Sequence, residues 1–74
     1  MSEMVTIHIP LLNEGTTVSR PTLGESLGDQ RYRVRPTPNY DPADEEWEFL
    51  PGSIVVCEEV RDGGTSFLIA RRLA

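Results

Sequence analysis

Between Met4 and Leu12 the chain alternates, with Val5, Ile7, Ile9 and Leu11 on one side and Thr6, His8, Pro10 and Leu12 on the other. Successive side chains of extended backbone point to opposite faces, so this period of two predicts a half-buried strand. Asn13-Glu14-Gly15 follows as a three-residue turn with glycine where a positive φ is needed. Thr16 to Arg20 reads as the return strand, and Pro21 and Gly24 predict a bulge, an edge or a strong bend there. Gly28-Asp29 reads as a two-residue hairpin turn with glycine first. Alternation resumes from Arg31 to Arg35, with Tyr32 and Val34 inward and the arginines outward, until Pro36 and Pro38 end it. Ser53 to Val60 and Ser66 to Leu73 form a last strand pair about the tight turn Asp62-Gly63-Gly64.

The stretch 36–52 is the least regular part of the chain. Asp41-Pro42-Ala43-Asp44-Glu45-Glu46 carries a helix-start signature: a capping aspartate, a proline suited to the first helical position, and carboxylates at the positive end of the dipole. Pro51-Gly52 must stop it, so one short helical turn near residues 42–47 is the most that fits. The reading is thus all-β, with five strands in 74 residues. A sheet this small has no second layer to pack on, so it must curl to bury one face. We expect a single domain over 1–74, a strongly bent antiparallel barrel of SH3-like style, with 1–3 as a flexible lead-in and 36–52 as a long irregular connection.

Composition narrows the chemistry. Apolar residues make up 38% and charged residues 26%, a globular balance. One cysteine, Cys57, excludes an internal disulfide and a cysteine-rich zinc site, and one histidine, His8, excludes a histidine-rich one. The longest apolar runs fall far short of the ~20 residues that span a membrane. The net charge of −5 opposes phosphate backbones and anionic membranes. With no visible export signal, the lone cysteine points to a reducing cytoplasm. No phosphate loop, nucleophile elbow or paired Cys-x-x-Cys is present, so we expect a non-enzymatic protein with no cofactor and no metal.

Several local patterns carry a likeness. They are Val5-x-Ile7-x-Ile9-x-Leu11-Leu12-x-Glu14-Gly15, Val18-x-Arg20-Pro21 and Gly28-x-x-x-Tyr32-Arg33-Val34, and then the run from Asp44-Glu45-x-Trp47-Glu48-Phe49 through Pro51-Gly52-Ser53-x-Val55-x-Cys57-Glu58. Together they resemble a family of small, uncharacterised bacterial proteins of about this length. The resemblance implies bacterial origin and a stand-alone domain. That family has no assigned activity, cofactor or catalytic residue, so no function carries over.

Candidate binding residues fall in two groups. Arg31, Arg33 and Arg35 share one strand face at about 7 Å spacing and suit either an acidic or phosphate-bearing partner or cross-strand carboxylates. Asp41, Asp44, Glu45, Glu46 and Glu48 place five carboxylates in eight residues, without the spacing of a calcium loop. They read as a solvated turn or as a lure for a basic partner. Trp47 is either core or an exposed anchor, with Tyr40 beside it. Cys57, flanked by Glu58 in an apolar strand, reads as structural, and His8 as a surface residue. The expected function is a protein-interaction or regulatory module, as a monomer or a weak homodimer. The alternatives are a nucleic-acid-binding barrel using the arginine strand and an acidic mimic of nucleic acid.

Overall fold

A computed structural model describes residues 3–12 and 18–74. The strands are β1 (Met4–Pro10), β2 (Ser19–Gly28), β3 (Arg31–Val34), β4 (Ile54–Asp62) and β5 (Thr65–Leu73). They close in sequence order into a five-stranded barrel of SH3-like style. Consecutive strands pair antiparallel. Five strands that reverse direction at every connection leave the first and last running the same way, so the closing seam is parallel, through Ile7↔Leu68 and His8↔Ile69. Among the described residues no helix is long and apolar enough to cross a membrane.

The inner face is the one the alternation predicts. Ile7, Ile9, Leu11, Val34, Val55, Cys57 and Ala70 are buried together, with Val5, Tyr32 and Leu68 packed against them. Glu3 already joins the sheet, since its carbonyl accepts the Ser26 N–H at 2.7 Å. The expected turn at 13–15 lies outside the described residues.

Strand β2 departs from expectation, for reasons the structure supplies. It runs unbroken through Pro21 and Gly24. On its β3 side the Leu23 carbonyl accepts the Arg35 N–H at 3.0 Å. Pro21, two residues earlier, has its donor-less nitrogen on that same side, beyond the end of β3, so no bond of the β1 ladder is lost. Gly24 makes room for Ile7: a Cβ at this position would lie 2.7 Å from Ile7 Cδ1. The irregularity falls later, between Ser26 and Gly28, where the register shifts by one residue. The hairpin corner is therefore Asp29-Gln30, both at positive φ, while Gly28 pairs with Arg31. The Gly63-Gly64 turn is as expected, with both residues at positive φ between the paired Asp62 and Thr65.

The connection from β3 to β4 leaves and returns at one place. Gly52 N–H donates to the Val34 carbonyl and Val34 N–H to the Ser53 carbonyl, each at 2.8 Å. In between, the chain crosses to the far end of β1, where Trp47 bridges Leu11, Leu12 N–H donates to the Glu46 carbonyl, and Glu48 N–H to the Pro10 carbonyl. This extended passage turns Trp47 and Phe49 the same way, into the core. Helix formation stops at one turn, in which the Asp44 and Glu45 N–H groups donate to the Asp41 carbonyl at 2.9 and 3.1 Å.

Candidate functional site

Residues of β2, Thr6 of β1 and the first half of the connection build two adjoining clefts. One is a groove of about 320 Å³ lined by Thr6, Pro21, Thr22, Leu23, Pro36, Thr37 and Pro38. Its side chains are apolar or carry only a hydroxyl, and Leu23 is 50% exposed in it. The other is a cleft of about 440 Å³ lined by Arg20, Pro21, Thr37, Pro38, Asn39, Asp41, Asp44 and Glu45. Pro21, Thr37 and Pro38 belong to both, so the two form one trough with an apolar end and an acidic end.

Local chemistry holds the trough in shape. Prolines 21, 36 and 38 have fixed φ and lose little freedom on ordering. The buried Thr22 hydroxyl donates to the Arg35 carbonyl at 2.5 Å, which sets the path of the chain out of β3. At the acidic end, Arg20 Nε donates to Glu45 Oε2 at 2.8 Å, and its Nη2 reaches the same oxygen. Trp47 Nε1–H donates to Glu45 Oε1 at 3.1 Å. The hydrogen bond from Arg20, then that from Trp47, holds the Glu45 carboxyl below its ordinary pKa of 4.5. Glu45 thereby links β2 to the core tryptophan across the trough floor. Asp41 Oδ1 accepts the Ala43 N–H at 2.9 Å, while Asp44 has no ion-pair partner among the described residues.

The eight sequence-derived binding residues do not converge on one place. Asp44 and Glu45 line the trough. Trp47, at 2% exposed, is core, which removes it as an exposed anchor. Tyr40 is half-buried against it, edge to face with ring centroids 4.6 Å apart. Glu46 is exposed and lines neither cleft. Arg31, Arg33 and Arg35 are exposed as expected and line neither cleft. Arg33 lies 3.4 Å from Glu25, its cross-strand neighbour on β2, and Arg31 lies 3.8 Å from Asp29 in the hairpin corner.

The reactive side chains are withdrawn from the trough. Cys57 is buried, and desolvation pushes its thiol up to about 11. His8 lies on the outer face, edge to face with Phe67 at 5.0 Å. Sequence reasoning missed Pro21, Leu23, Pro36 and Pro38 as a surface, because it read the prolines only as strand-breakers and gave Leu23 no role. The available signal was an outward leucine two residues from a proline, on a strand whose hairpin partner β3 is followed by Pro-x-Pro.

No family model matches this chain, and neither a curated protein nor a solved structure matches it.

Proposed function

We propose that the protein is a non-catalytic interaction module of the bacterial cytoplasm that holds a protein partner in the trough between β2 and the connection. The observation that carries this reading is the joining of a proline-walled apolar groove, with a half-exposed leucine, to an acidic cleft. Concave apolar surface with a few placed polar groups is what recognition sites are made of. The buried, protonated Cys57 and the outward His8 support a non-catalytic role. The arginine strand draws less support as the contact, since two of its three guanidiniums lie near carboxylates of their own chain.

A tagged capture from native host lysate, with and without nuclease, tests the reading in three forms: wild type, Leu23→Ser, and the triple variant Arg31→Ala/Arg33→Ala/Arg35→Ala. A stoichiometric protein that survives nuclease, stays with the triple variant and is lost from Leu23→Ser is expected. Both variants change exposed side chains, so each should keep within about 1 kcal/mol of wild-type stability. A captured set that vanishes on nuclease treatment, or with the triple variant alone, would transfer the function to the arginine strand and nucleic acid.

A further inference from the structure

We infer that the occupant of the trough is an extended segment of a partner protein carrying both a basic and an apolar side chain, the basic one at the Asp44 end and the apolar one against Leu23. This rests on the interaction-module reading above and adds the chemistry of the partner.

Charge complementarity sets the basic half. Three carboxylates, Asp41, Asp44 and Glu45, line the acidic end against a single guanidinium, Arg20, which is engaged with Glu45. The whole chain carries −5, so its long-range field also favours the approach of a basic segment over an acidic one. Glu45 is held ionised by Arg20 and Trp47, and Asp44 is exposed without an ion-pair partner among the described residues. The site thus keeps a full negative charge for an incoming arginine or lysine.

The apolar half is set by Leu23, Pro21, Pro36 and Pro38. A leucine that is 50% exposed beside three prolines has apolar surface left to bury and offers an apolar side chain no competing hydrogen bond. The saddle of Pro21, Thr37 and Pro38 is shared by both halves, so one occupant that passes over it reaches both. An extended segment does so naturally, since side chains two apart lie about 7 Å from each other on one face. Strand addition to β2 is blunted here, because Pro21 presents no N–H to the open edge and the Leu23 carbonyl already accepts from Arg35. Recognition therefore runs through side chains.

The test is a titration of the isotope-labelled full chain with four synthetic ten-residue probes, followed by amide chemical shifts. The probes are a mixed Arg/Leu peptide, an all-Arg/Gly peptide, an all-Leu/Ser peptide and a mixed Glu/Leu peptide. The mixed Arg/Leu probe is expected to bind tightest and to shift Leu23, Thr37, Asn39 and Asp44. Asp44→Asn should weaken it about two- to five-fold and Leu23→Ser about ten-fold. Arg33→Ala should leave it unchanged. Equal binding at the same amides by the Glu/Leu or the Leu/Ser probe would overturn the inference while leaving the trough as the contact surface. Shifts confined to Arg31, Arg33 and Arg35, or no binding by any probe, would overturn the interaction-module reading as well. Shifts at the trough that depend on protein concentration without probe would assign it to a second copy of this chain, which also overturns the inference.

Discussion

Replacing Gly24 with alanine is expected to destabilise the barrel through a single contact. The added Cβ would meet Ile7 Cδ1 at 2.7 Å and Ile7 Cγ1 and Cγ2 at 3.1 Å, and Ile7 is wholly buried. Forcing one methyl into a packed core costs about 1–3 kcal/mol. Restricting the unfolded chain returns about 0.4–1 kcal/mol. The net loss is about 1.5 kcal/mol, a fall in Tm of roughly 5–10 °C for a domain of this size. Ile7→Val removes Cδ1 and alone costs about 0.5–1.5 kcal/mol. If the clash is the cause, the double variant recovers part of the loss, with a coupling of about 1 kcal/mol. The recovery is partial because the contacts at 3.1 Å remain. Urea denaturation followed by the emission of Trp47, the one tryptophan, measures all four corners of the cycle. A neutral Gly24→Ala, or two changes that add within about 0.5 kcal/mol, would refute the reasoning.

Trp47→Ala is expected to cost about 3–5 kcal/mol, enough to leave a domain this small partly unfolded at room temperature by circular dichroism. Glu45→Gln should lower the urea midpoint at pH 7, and the difference should shrink as the pH is taken below 4.5. The folded pKa of Glu45 is depressed, so its contribution is complete above the ordinary 4.5 and is lost as the pH falls through the folded value. Cys57 should resist an aromatic disulfide reagent at pH 8 in the native state and react at once in urea, since burial both hides the thiol and keeps it protonated. Rapid native labelling would show that the β4–β5 face opens far below the global unfolding transition.

Much of this fold was legible from alternation, and the failures have local causes. Ile7, Ile9 and Leu11 announce a buried face because nothing else in a short chain can cover three β-branched or branched apolar side chains at period two. Pro21 and Gly24 misled, because a strand's tolerance of proline depends on which edge the missing N–H faces, and its tolerance of glycine on who packs above it. Those are properties of the neighbouring strands. The hairpin corner moved one residue because the extra residue at the Ser26–Gly28 irregularity let Gly28 pair with Arg31. The acidic stretch was visible as charge, but its division was not. Asp44 and Glu45 face the trough while Glu48 is tied by its backbone to Pro10, and this follows only from the bridge between Leu11 and Trp47. Likewise the groove draws on Thr6, Leu23 and Pro36, which meet only once β1, β2 and the end of β3 lie side by side.

Site-specific photocrosslinking in the native host tests the trough most directly. A photoreactive side chain would replace Leu23 in one variant, Asn39 in a second and Arg33 in a third, all at exposed positions. The trough reading expects the first two to give the same protein adduct, resistant to nuclease, and the third to give none. An adduct formed from position 33 alone, or one that nuclease destroys, would contradict it.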